Sequence, residues 1–190
     1  MRKVFAALML IYLSVAQTFL PKEGPLPMCD IFSRDIARAA GENDFYKVDK
    51  ENWSTIISYY PVRPDSLTRV TFYLVYGNDF TFGCGKADLG SLRDYFPRKT
   101  TTSVSYATWI GKKYSNGDDV DYGPAAVAGD KISMTIDLRP FKKTVSFAKN
   151  GVSMGVAFGG LHFFGDEIYI MAAIKRVGHR FRITEYVVEQ

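Results

Sequence analysis

From Trp53 to the C terminus, apolar and polar residues alternate, or run apolar, in short stretches separated by turn residues. These stretches are Trp53 to Tyr60, Leu67 to Tyr76, Phe80 to Cys84, Ser103 to Trp109, Lys131 to Leu138, Lys143 to Lys149, Val152 to Phe158, Ile168 to Ile174 and Arg180 to Val188. A period of two sends successive side chains to opposite faces, so each stretch reads as a strand. Ile132, Met134, Ile136 and Leu138, alternating with Lys131, Ser133, Thr135 and Asp137, define one core face and one more polar face. The sharpest local signal is Asn150-Gly151 between two alternating runs. Both residues accept positive φ, and the resulting turn matches the twist of the flanking strands, which predicts a tight hairpin. In that hairpin Val145, Phe147, Val156 and Phe158 are expected in the core. Nine short strands joined by turns predict an all-β, two-sheet antiparallel sandwich.

Upstream the pattern changes. Asp30 is placed to cap a short N-terminal helix through about Ala40, with Ile31, Ile36 and Ala40 on one side, Arg34 and Arg38 solvated, and Gly41 as its stop. Before it, Pro21, Gly24, Pro25 and Pro27 predict an extended linker over residues 17–29, so the domain is expected over 30–190. Residues Met1 to Ala16 read Arg2-Lys3, then an apolar run from Val4 to Val15, with Ser14 and Ala16 at the spacing of a cleavage site. This predicts a signal peptide and a secreted, extracellular product, with an uncleaved anchor and a buried first helix as competing readings. Gln17, Thr18 and Pro21 interrupt the run short of the roughly 20 apolar residues that span a membrane, so no span is expected after cleavage.

Composition fits one globular domain: 47% of residues are hydrophobic and 23% charged, and 14 Phe with 12 Tyr suit pleated surfaces. The formal charge of +4 includes Arg2 and Lys3, and without them it is +2, too little to argue for nucleic acid or an anionic membrane as partner. Cys29 and Cys84 are compatible with one disulfide in an oxidising compartment. Equally, Cys84 shares a predicted face with Phe80 and Phe82, which fits a buried thiol. Asn52-Trp53-Ser54 matches a glycosylation acceptor.

Catalytic and cofactor signals are weak. Gly151-Val-Ser-Met-Gly155 satisfies G-x-S-x-G, but a nucleophile elbow needs strand, strained turn and helix, whereas Ser153 follows a hairpin turn and lies in an alternating strand. His162 and His179 form no metal-binding spacing with each other or with the cysteines, and Asp118-Asp119-Val-Asp121 reads as a turn without EF-hand spacing. Gly83 and Gly85 lie in a strand pattern with no following helix, unlike a phosphate loop. Paired glycosidase carboxylates are not evident on any one strand. The sequence therefore predicts no enzyme, no metal and no cofactor.

Tyr122-Gly-Pro124, Gly129-Asp-Lys-Ile132, Asp137-Leu138, Val145-Ser-Phe147, Lys149-Asn-Gly151 and Gly155-Val-Ala-Phe158 occur in the order and spacing of SPRY domains. Phe82-Gly-Cys-Gly85, Ser105-Tyr106, Lys113-Tyr-Ser-Asn-Gly117 and Ile168-Tyr169 extend the match, so that roughly Val48 to Tyr186 resembles that family. The resemblance implies a bent two-sheet sandwich of the concanavalin-like jelly-roll kind, related to B30.2 domains, whose loops at one edge capture a partner protein or peptide. It points to two such loops. The first offers Tyr95 and Phe96 beside Arg98 and Lys99, at the position from which SOCS-box SPRY proteins present an aromatic contact. The second carries Lys175, Arg176, Val177 and His179, with Lys175-Arg176-Val177 standing where those relatives have an aromatic residue. Aromatic and cationic side chains together favour an acidic ligand segment. Carbohydrate binding is the alternative, because lectin-like sandwiches share the architecture.

Overall fold

The computed structural model describes residues 26–29, 35–39, 43–86, 101–160 and 167–190. The predicted signal peptide and most of the predicted linker lie outside these residues. Two antiparallel sheets face each other. Sheet A is ordered β1 (Met28–Cys29), β4 (Ser54–Ser58), β13 (Tyr169–Ile174), β6 (Phe80–Gly85), β7 (Ser103–Ala107), β8 (Lys112–Ser115) and β9 (Asp118–Asp121). Sheet B is ordered β12 (Val152–Gly159), β11 (Thr144–Lys149), β10 (Lys131–Asp137), β5 (Leu67–Tyr76), β14 (Arg180–Glu189), β3 (Asp44–Lys47) and β2 (Ile36–Arg38).

The alternating residues meet between the sheets as the pattern predicts. Ile132, Met134 and Ile136 on β10, and Phe80, Phe82 and Cys84 on β6, are fully buried. Phe72 of sheet B stacks on Phe82 of sheet A with ring centroids 4.0 Å apart, and Phe181 meets both rings edge-on at 5.7 and 5.4 Å. At one rim Lys47 of β3 turns its fully buried side chain towards sheet A. Its ammonium donates to Asp35 Oδ2 at 3.3 Å, to Asn52 Oδ1 at 3.1 Å and to Ser54 Oγ on β4. The predicted glycosylation acceptor is thus folded into a polar network, with Ser54 buried. On β3 the buried Asp44 receives Arg180 Nε at 2.6 Å and a terminal nitrogen of Arg182 at 2.8 Å. Burial would raise its pKa, but the hydrogen bonds and charges of these two guanidinium groups hold it below the usual carboxylate range.

Four expectations change. Residues 36–38 of the predicted helix form β2, which pairs with β3 as an antiparallel ribbon; residues 30–34 and 40–42 lie outside the described residues. Leu26 and Met28, assigned to the linker, are buried, and Met28–Cys29 pairs with β4. The expected turn at Asp118–Asp121 is strand β9. Asn116-Gly117 takes positive φ at both residues and folds β8 and β9 into a hairpin, as Asn150-Gly151 does for β11 and β12. Cys84 is a free, buried thiol. Cys29 and Cys84 lie on strands separated by β4 and β13, about 14 Å at the usual strand spacing, far beyond disulfide reach.

The fourth change is on β12. Ser146 pairs with Val156 and Ala148 with Ser153, so Phe147 alone faces Met154 and Gly155; a second shift skips Ala157. These bulges break the period of two, burying Ala157 and Phe158 in succession while turning Val156 out to solvent, 60% exposed. A tyrosine repairs the ladder. The Phe147 N–H donates to Tyr122 Oη at 3.2 Å, and that hydroxyl donates to the Gly155 carbonyl at 2.6 Å. Replacing Tyr122→Phe strands both groups and should lower stability by about 1–2 kcal/mol. Urea unfolding of both proteins checks this, and an unchanged midpoint would show that the hydroxyl does not hold the bulge.

Candidate functional site

The turn between β13 and β14 is tied to two neighbouring segments. The Lys175 N–H donates to the Asp79 carbonyl at 3.2 Å, the Gly178 N–H donates to the Lys47 carbonyl at 3.0 Å, and the Lys47 N–H returns a bond to the His179 carbonyl at 3.1 Å. Arg176 Nε reaches Asp79 Oδ2 at 2.7 Å, and the Val177 N–H donates to Glu51 Oε1 at 3.3 Å. The turn is therefore a held surface feature presenting Arg176 and Val177 to solvent.

His179 folds inward. Only 12% of its side chain is exposed. Its ring lies against Tyr76 and Phe80, at centroid distances of 6.1 and 5.8 Å, and its Nδ1 accepts the Asp79 N–H at 3.4 Å. A Cβ on Gly77 would come within 2.4 Å of this ring, and Gly77 also sits at φ +83°, so the position favours glycine twice over. An Nδ1 that accepts this hydrogen bond carries no proton, which assigns the ring to the neutral Nε2–H tautomer. Burial lowers the His179 pKa; the Asp79 carboxylate opposes this, Arg176 adds to it and Glu51 opposes it.

Beside the turn two tryptophans meet. Trp53 precedes β4 and Trp109 follows β7, strands separated by β13 and β6, yet their ring centroids are 4.9 Å apart. Two residues along the same strands, Thr55, Ala173, Thr81 and Ala107 form one cross-strand row of small side chains, which leaves room for the indoles to approach each other. Both rings stay half-exposed, with Ile110 and Tyr76 exposed at the same end of the sandwich. Sequence reading placed each tryptophan at a strand terminus. Nothing in the alternation shows that they meet, because their contact depends on the order of four strands.

Of the residues expected to bind a partner, Lys175, Arg176, Val177 and His179 share this turn, with Arg176 and Val177 outward, Lys175 half-buried and His179 inward. Tyr95, Phe96, Arg98 and Lys99 lie outside the described residues, as does His162. The flanks of that first segment are described, however. Gly85 and Ser103 pair at the end of β6 where Tyr169 starts β13, whereas Phe80 and Ile174 pair at the other end, next to Lys175. The roots of the two predicted loops are thus about 17 Å apart along the strands. Ser153 lies in β12 and accepts the Gly155 N–H through Oγ at 3.1 Å, a local turn contact. Among the described residues no three His, Cys, Asp or Glu side chains converge as a metal site, and no helix is long and apolar enough to cross a membrane.

The SPRY domain family matches residues 70–185. Among solved structures, the SPRY domain of human HERC1 aligns with TM-score 0.65 at 18% identity, over 85% of this chain and 96% of that one. A human SPRY domain aligns with TM-score 0.62 at 18% identity, over 79% and 94%. No curated protein matches.

The buried His179 makes a pH prediction. With its folded pKa below the ordinary 6.5, its contribution to stability is present above that value and is lost as pH falls through the folded pKa. NMR titration should find the Nε2–H tautomer at neutral pH and a midpoint below 6.5. A midpoint above it would mean that Asp79 pairs with an imidazolium instead.

Proposed function

The chain belongs to the SPRY domain family, and on that premise we propose that it is a non-catalytic module that binds a partner protein at the end of the sandwich formed by the β13–β14 turn. SPRY domains are in general protein–protein interaction modules. The observation that carries the location is the half-exposed Trp53–Trp109 pair beside the outward Arg176 and Val177. Tryptophan and arginine dominate binding energy where they cluster, because they bury much area from a few ordered side chains. Lys175 and Arg176 suit an acidic segment of the partner. Tyr95, Phe96, Arg98 and Lys99 supply a second contact, reached from the opposite end of β6.

The arrangement favours binding over catalysis. The acids and the imidazole at this end hold the turn: Asp79 pairs with Arg176, Glu51 accepts the Val177 N–H, and His179 Nδ1 accepts the Asp79 N–H. We further propose that Met1 to Ala16 directs export, so that the protein acts as a secreted effector or adaptor. N-terminal sequencing of protein recovered from the medium of expressing cells should then begin at Gln17. Retention in the cells with Met1 intact overturns the export proposal and leaves the binding proposal standing.

Binding is tested by affinity capture from extracellular and host-cell extracts, with and without competing sugars. A Val177→Asp variant changes an exposed side chain, keeps the Arg176–Asp79 pair that holds the turn, and should weaken capture about tenfold or more. A Tyr95→Ala, Phe96→Ala variant tests the other loop. Loss in that variant alone moves the site to the far end of β6, and elution of all partners by sugar replaces the proposal with carbohydrate binding.

A further inference from the structure

β10 and β11 are joined through Arg139-Pro140-Phe141-Lys142-Lys143, where the Lys142 N–H closes a turn on the Arg139 carbonyl at 3.1 Å. Pro140 stands second in that turn and Phe141 third, at φ +66°. A proline followed by positive φ is the type II arrangement, whose third position normally falls to glycine because a Cβ is disfavoured there. Phe141 occupies it with a side chain that the fold leaves bare, 103% exposed. An exposed phenylalanine is ordinary by itself. Here one residue is unfavourable both in its backbone and in its surface, and it makes no packing contact in return.

The turn is held in place. Arg139 folds back on Asp137, donating from its N–H at 3.2 Å, from Nε at 2.9 Å and from a terminal nitrogen at 2.7 Å, and the Gly160 N–H donates to the Lys143 carbonyl at 3.2 Å. The ring is thus presented outward on a braced support. Lys142 and Lys143 beside it are exposed, and among the described residues neither is held in an ion pair. Asp137 is taken by Arg139, and the other acids at this end of sheet B, Asp65 and Glu189, lie on the side of β5 and β14.

This combination selects the occupant. A ring open on every side is covered only by something that surrounds it, and a flat protein face would leave most of it wet. The acyl region of a bilayer surrounds it without any matching of shape, while anionic headgroups meet the two ammonium groups. The depth required is one side chain, so the contact is interfacial and spans nothing. We propose that the β10–β11 turn is a docking point for an anionic lipid surface, with Phe141 inserted among the acyl chains and Lys142 and Lys143 at the level of the phosphates. One ring and two cations give weak, reversible attachment, so the turn orients the sandwich at a surface. Leu67 at the start of β5 pairs with Asp137 beside this turn, and Tyr76 at its other end pairs with Arg180 beside the β13–β14 turn, which puts the two turns roughly 30 Å apart at opposite ends. A molecule lodged by Phe141 keeps the β13–β14 turn clear of lipid.

The test presents the full chain to vesicles of equal parts phosphatidylcholine and phosphatidylserine, and to vesicles of phosphatidylcholine alone. Co-sedimentation is expected with the mixed vesicles and should fall as salt is added. Phe141→Gly suits the positive φ and keeps the turn, and it should weaken vesicle binding about tenfold. Lys142→Gln with Lys143→Gln should weaken it about fivefold per lysine and remove the preference for phosphatidylserine. A spin label on the acyl chain should broaden the amide signals of residues 141–143 before all others. Partner capture through the β13–β14 turn should be unchanged in both variants. Failure to bind the mixed vesicles, equal binding to the two kinds, or binding that survives Phe141→Gly overturns the proposal. Vesicles that fail while Phe141→Gly loses a captured protein overturn it in favour of a protein pocket for the ring.

Discussion

The contact on which the molecule depends is the stack of Phe72 on Phe82, one ring from each sheet, with Phe181 set edge-on to both. Aromatic rings so placed bury large areas and also favour particular relative orientations. They therefore fix the sheets against each other as well as holding them together. Because Phe82 lies mid-strand on β6, the same stack fixes which ends of β6 and β13 face solvent. One of those ends carries the Trp53–Trp109 pair and the β13–β14 turn. Site and core are consecutive parts of the same two strands.

Where alternation fails, polar side chains repair the fold. At the β12 bulges the Tyr122 hydroxyl serves an N–H and a carbonyl that the ladder leaves over. At the opposite rim Lys47 spans from sheet B to Ser54 of sheet A, with Asp35 offsetting its buried charge. Such an ion pair is a weak source of stability, yet through Ser54 it ties β3 of one sheet to β4 of the other. Asp44 does the same between β3 and β14, gripping Arg180 and Arg182 just after the turn that presents Arg176. The surface turn is braced on both sides by charge pairs rooted in the sheet.

Much of this was legible in the sequence. Alternation located the long strands and their buried faces, and Asn150-Gly151 located a hairpin whose residues take the positive φ it requires. The same dipeptide at Asn116-Gly117 is not legible as a hairpin, because the acidic run after it has only one apolar residue, Val120, and so no core face to detect. Ile36 to Arg38 carried a spacing that fits a helix, but pairing with β3 prevailed over so short a local preference. The outward turn of Val156 is invisible to alternation, because a bulge cannot be read from a period of two. The candidate site was half visible: its turn stands out by charge, whereas the tryptophan pair exists only once β13 and β6 lie between β4 and β7.

Cys84 has a bearing on compartment. It is fully enclosed beside the aromatic stack, burial pushes its thiol up to about 12, and Cys29 stands three strands away. A thiol that is neither ionised nor accessible does not exchange with glutathione or with an oxidant unless the sheets part. Cys84 therefore keeps one covalent form whether its surroundings are oxidising or reducing. A chain that folded on one side of a membrane and worked on the other would cross that redox boundary with the chemistry of its core unchanged.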